Sequence, residues 1–155
     1  MLITFAAAIA VAASPAPAAK QARTETYANA RFGTRATYPA GMFGNRREAD
    51  NGDGVTLSAR DGATLAIYGG YNLEGQAPRD YLAARVREER GNVSYRHVGR
   101  DFAVMSGTRG DRIFYQRFSF DARRDIVHSY RLEYSRTLQR RYGPVVQRIA
   151  IRYDR

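Results

Sequence analysis

The chain has 155 residues, of which 44% are apolar and 26% charged, and it carries a formal net charge of +10. That length suits one domain of ordinary size, and the balance excludes a disordered or fibrous protein. Cysteine is absent, which excludes disulfides, thiolate nucleophiles, cysteine zinc sites and an acylated lipoprotein cysteine together.

Residues 2–13 form an apolar run without a charge. It falls short of the roughly 20 residues needed to cross a hydrocarbon core of ~30 Å. Ser14, Pro15, Ala16, Pro17, Ala18 and Ala19 follow, with Ala16 and Ala18 at the small-residue positions of a signal-peptidase site. No Lys or Arg precedes the run, which departs from the usual secretory pattern. The segment nevertheless predicts a signal peptide over residues 1–19 and a single domain over residues 20–155, periplasmic or secreted. No later segment approaches a membrane span.

Residues 20–30 are polar and read as extended or loosely attached. Residues 31–39 alternate well enough for a strand, and Pro39 ends it. Gly41, Gly44, Asn45, Asn51, Gly52 and Gly54 mark a loop by composition. Val55, Leu57 and Ala59 then alternate with Thr56, Ser58 and Arg60, so residues 55–70 predict a β-hairpin turning at Asp61-Gly62. Pro78 suits a first helical position, Asp80 the first turn and Gly91 the residue beyond the end, which predicts a helix over 78–90.

After Gly91 the apolar period switches to two. Residues 93–98, 102–108, 111–120 and 126–134 are strand candidates, and their short links favour antiparallel neighbours. Leu138, Tyr142, Val145, Val146, Ile149 and Tyr153 fall on one helical stripe, which predicts a closing helix from about Pro144 to Arg152. The economical packing is α+β: a single antiparallel sheet of six to seven strands with two helices against it. The expected core holds Phe32, Leu57, Leu65, Ile67, Leu82, Val86, Phe102, Val104, Phe118, Leu132, Val146 and Ile149.

Tyr27, Asn29, Arg31, Phe32 and Gly33, then Tyr38-Pro39, then Asn51-Gly52-Asp53-Gly54, stand in a recognisable order. With the terminal run from Tyr142 to Ala150, this resembles small exported alphaproteobacterial proteins of unknown function. More remotely, the element order is similar to the PsbP-like fold, an antiparallel sheet between helices named for an extrinsic photosystem subunit. The resemblance implies a fold and a compartment, and it brings no catalytic residues.

The chemistry is mostly one of exclusions. The loop from Glu48 to Gly54 clusters oxygen ligands, but an EF-hand alignment puts Ala49 and Arg60 where carboxylates are required, so turn formation is the better reading. His97 and His128 are the only histidines, without zinc-site spacing, and no serine lies in a nucleophile elbow. Gly69-Gly70 lacks the residues of a phosphate cradle. No metal, cofactor or catalytic residue is therefore assigned.

Charge is the unusual quantity: residues 1–78 hold 7 basic and 6 acidic groups, whereas residues 79–155 hold 18 and 9. Arg136 and Arg140 are four apart and would align on one helix; Arg141 and Arg148 would align if that helix began before Pro144. These four arginines are the candidate binding residues for an anionic envelope component or an acidic protein. Export argues against nucleic acid as the partner. The expected function is thus an exported, non-enzymatic binding or accessory module. A small hydrolase using His128 or His97, and a structural subunit of an envelope assembly, are the alternatives.

Overall fold

The computed structural model describes residues 23–153, so the predicted signal peptide lies outside the described residues. The predicted hairpin is present as β4 (Gly54–Ser58) and β5 (Thr64–Tyr71), with Ser58 opposite Thr64. Asp61 accepts the Ala63 N–H at 3.2 Å, and Gly62 takes a φ of +83 that L side chains resist. The helix α1 (Pro78–Glu88) starts at its proline as expected. The four-strand meander follows as β6 (Asn92–Val98), β7 (Phe102–Arg109), β8 (Arg112–Phe120) and β9 (Ile126–Ser135).

Three local expectations give way to the structure. The segment read as extended or loosely attached is extended and paired as β1 (Thr24–Ala28), whereas the strand expected from residue 31 starts later as β2 (Thr34–Pro39), and the glycine-rich loop contains β3 (Asn45–Glu48). The closing helix over 144–152 does not form. Its place is taken by a 3-10 turn (Arg136–Leu138), one α-turn α2 (Gln139–Tyr142), a second 3-10 segment (Gly143–Arg148) and β10 (Ala150–Tyr153). Pro144 shortens the helical stretch, and β2 offers backbone groups that β10 pairs antiparallel from Thr37 down to Thr34.

The single sheet is consequently two sheets. A seven-stranded antiparallel sheet runs β3-β4-β5-β9-β8-β7-β6, and a three-stranded one runs β1-β2-β10. The small sheet and the helical turns after β9 cover one face of the large sheet, where Ala36, Tyr38, Leu57, Leu65, Ile67, Leu132 and Tyr142 are buried together. On the other face, α1 lays Leu82 against Ala103, Met105, Phe114 and Phe118. The two sheets pack tightly at Gly69: a Cβ there would sit 2.5 Å from that of Phe32 and 2.6 Å from the Thr34 hydroxyl. That contact explains the glycine inside β5.

Nine of the twelve expected core residues are buried, while Val86, Phe102 and Val146 are half-buried. Val86 and Val146 lie at the margins of the two clusters, and Phe102 is at the start of β7 beneath the Arg117 guanidinium.

Candidate functional site

The loops at the two ends of the large sheet differ in character. One end gathers the turns that hold Asp50, Asp53, Glu74, Asp101, Asp121 and Asp125 among Arg31, Arg100, Arg123 and Arg124. The opposite end gathers Arg60, Arg90, Arg109, Arg112, Arg136, Arg140 and Arg141 against fewer carboxylates. Three of the four predicted binding arginines therefore sit at the basic end. Arg148 does not join them, because it follows the break at Gly143-Pro144 and belongs to the segment leading into β10.

Arg141 is already engaged. The Tyr142 hydroxyl, fully buried, donates to both Asp61 carboxylate oxygens at 2.9 and 3.0 Å, and Arg141 pairs with the same carboxylate at 3.1 Å. Burial opposes ionisation of Asp61, but the Tyr142 hydroxyl, the Ala63 N–H and Arg141 outweigh it and hold the carboxyl below its ordinary range. Burial and the same carboxylate push Tyr142 up to about 12. This pin fastens the β4–β5 turn to α2. Beside it lies a hollow of about 490 Å³ lined by Gly41, Met42, Gly44, Arg60, Asp61 and Arg141. Arg136 and Arg140 are exposed next to this pin, with no side-chain hydrogen bond or ion pair among the described residues.

The histidines have different surroundings from those a hydrolase needs. His128 is 1% exposed; its Nδ1 shares a hydrogen bond of 2.8 Å with the Thr34 hydroxyl, and the Tyr153 ring stacks on it at 4.4 Å. Burial drives its pKa down to about 4, with Asp121 pulling weakly the other way. A neutral imidazole sealed between two sheets joins them and does not face substrate. His97 is exposed on β6 beside Phe102.

The buried neutral His128 has a measurable consequence. The unfolded chain binds a proton near pH 6.5 while the folded one resists until about pH 4, so stability is lost as pH falls through that interval. The full loss amounts to about 3 kcal/mol at the acid end. Urea midpoints measured between pH 7 and 5 should decline in the parent and stay level in His128→Phe. A parallel decline in both would place the titrating group elsewhere.

In the loop read as a turn, Asn51 donates to the Asp53 carboxylate at 2.7 Å, and Asn29 donates to the Gly52 carbonyl at 2.8 Å. These bonds bind the loop to β1 and β2 and belong to turn architecture.

One functional-looking cluster escaped the sequence reading. Glu89, just beyond α1, accepts from Arg131 at 2.7 Å, from Arg109 at 2.5 Å and from the Gly91 N–H at 2.9 Å. Arg131 in turn donates to Gln116 at 2.9 Å and to Glu133 at 2.7 Å, and it lies over the Phe114 ring. Gln116 donates to the Tyr68 hydroxyl, whose burial pushes it up to about 12. The network anchors α1 to the sheet centre. An arginine repeat in the sequence carries no mark of which member is buried; only the half-buried alternation of β9 hints at Arg131.

No known family profile matches the chain, and no curated protein matches it. A solved structure does. The solution structure of cyanobacterial PsbP (CyanoP) from Synechocystis sp. PCC 6803 superimposes with a TM-score of 0.56 at 9% identity, over 90% of this chain and 98% of that one. The chain has the PsbP-like fold. At that identity the likeness speaks to fold alone.

Proposed function

We propose that the chain is an exported, non-enzymatic accessory module that docks through its basic end on an anionic partner, either an envelope component or an acidic protein. The observation that carries this reading is the pair Arg136 and Arg140, exposed at the basic end with no side-chain partner among the described residues. Unpaired guanidinium groups keep their planar, two-pronged donors available for phosphate or carboxylate. Export is supported by the apolar run over residues 2–13 and by the resemblance to small exported proteins. The sealed position of His128 favours this reading over a hydrolase.

The test is co-sedimentation with anionic vesicles, neutral vesicles and purified peptidoglycan across a salt series. Retention on an anionic surface should weaken steeply with salt, since charges are screened over ~8 Å at physiological ionic strength. It should be lost in Arg136→Gln/Arg140→Gln, a variant that leaves the Arg141–Asp61 pin intact. Equal retention of parent and variant at low salt would reduce the basic end to a solubilising surface.

A further inference from the structure

The small sheet covers only part of its face of the large one. Beyond it, a hollow of about 410 Å³ has Tyr115, Arg117 and Tyr130 as its floor and Val146, Gln147 and the start of β10 as its wall. From there two cross-strand rows, Tyr115–Ser106–Tyr95 and Arg117–Val104–His97, run to the outer edge of β6. Tyr95 at the end of its row is 53% exposed. The wall ends in an open strand edge, because β10 is the last strand of the small sheet. No backbone hydrogen bond beyond the β2 ladder engages Ala150, Ile151 or Arg152 among the described residues.

We infer that this groove receives an extended acidic peptide segment, which adds to β10 along residues 150–152 as a fourth strand. An added strand lies about 4.8 Å from β10, within the hollow, and supplies partners for backbone groups that β2 leaves unpaired. Its inward side chains meet Tyr115. The charge of the groove selects the acidic partner: Arg117 is on the floor, Arg148 is exposed between the lining residues Gln147 and Ile149, and none of the lining residues is a carboxylate. Arg117 forms no ion pair among the described residues, and its Cζ lies over the Phe102 ring at 3.9 Å from the centre. A guanidinium fixed in advance loses less freedom on pairing with a carboxylate. The site is separate from the Arg136–Arg140 end.

The probe is a capped heptapeptide of alternating glutamate and valine, titrated into the whole folded domain by calorimetry and followed by amide hydrogen exchange. Binding should slow exchange at those N–H groups of residues 150–152 that point away from β2, and it should weaken by about tenfold or more in Arg117→Gln. A peptide N-methylated at alternate residues keeps its charge but cannot pair as a strand, so it should not bind. The Arg136→Gln/Arg140→Gln variant should bind the probe as the parent does, which separates this site from the basic end. Absence of binding, equal binding of the N-methylated peptide, or protection confined to β6 would overturn the inference. So would tighter binding of an oligogalacturonate than of the peptide, or a dimer in sedimentation that buries the same edge.

Discussion

Replacing Glu89 by Gln should destabilise the fold by about 3–5 kcal/mol, measured as the shift in urea unfolding free energy at pH 7. The Glu89 side chain is only 4% exposed and lies between two guanidinium groups. Removing its charge leaves Arg131, itself 16% exposed, with one carboxylate fewer in a setting that hydrates it poorly. A domain of this size has roughly 5–15 kcal/mol in total, so the variant should be marginal at ambient temperature. The same carboxylate sets an acid limit. Burial alone would raise its pKa, but Arg109, Arg131 and the Gly91 N–H bring it down to about 2 from an ordinary 4.5. A depressed carboxyl stabilises fully above the unfolded value, and that contribution disappears as pH falls from 4.5 toward 2. Glu89→Gln should therefore be weaker at neutral pH and flatter in that acid window. A variant as stable as its parent at pH 7 would show the network to be ornamental.

Leu132→Ala should cost about 2–5 kcal/mol by the same measurement. Leu132 is 0% exposed, faces Leu65 across β5 and Tyr115 across β8, and lies under the small sheet. The surrounding β-sheet cannot easily collapse into the space, which favours the upper part of that range. A loss below about half a kcal/mol would mean that the residue faces solvent and that the register of β9 is wrong by one.

The sequence was most legible where local chemistry and tertiary demand agree. The β4–β5 hairpin announces itself through strict alternation around Asp61-Gly62, and the β6–β9 meander through period two with short polar links. By contrast, β3 reads as loop, and β1 as no more than an extended or loosely attached segment, because their side chains are mostly exposed: Asn45, Arg46, Arg47 and Glu48 all face solvent at a sheet edge. Strands of this kind are made by pairing, not by an apolar face. The closing helix failed for a related reason. Val145 and Ile149 do have helical spacing and are buried, but Pro144 and the open side of β2 divide the stretch into a 3-10 turn and a strand.

The arginines show the same boundary. Arg136, Arg140, Arg141 and Arg148 were recognisable as a basic stretch, yet nothing local separates Arg141, which meets Asp61 across the fold, from its neighbour Arg140, which has no side-chain partner among the described residues. Ion pairs between distant segments have no local signature. The exposed members of the group are the ones a sequence reading can place correctly.

The small sheet is sewn from both ends of the domain, since β10 pairs with β2, and Ile151 lies opposite Ala36. A chain emerging from a ribosome or a membrane pore in N-to-C order would hold β1 and β2 without their third strand until residues 150–153 arrived. The pairing of β10 with β2 spans most of the domain in sequence and is therefore the last ladder to close. The seven-stranded sheet needs none of these residues, so the larger layer can assemble first and the smaller one is completed on it by β10.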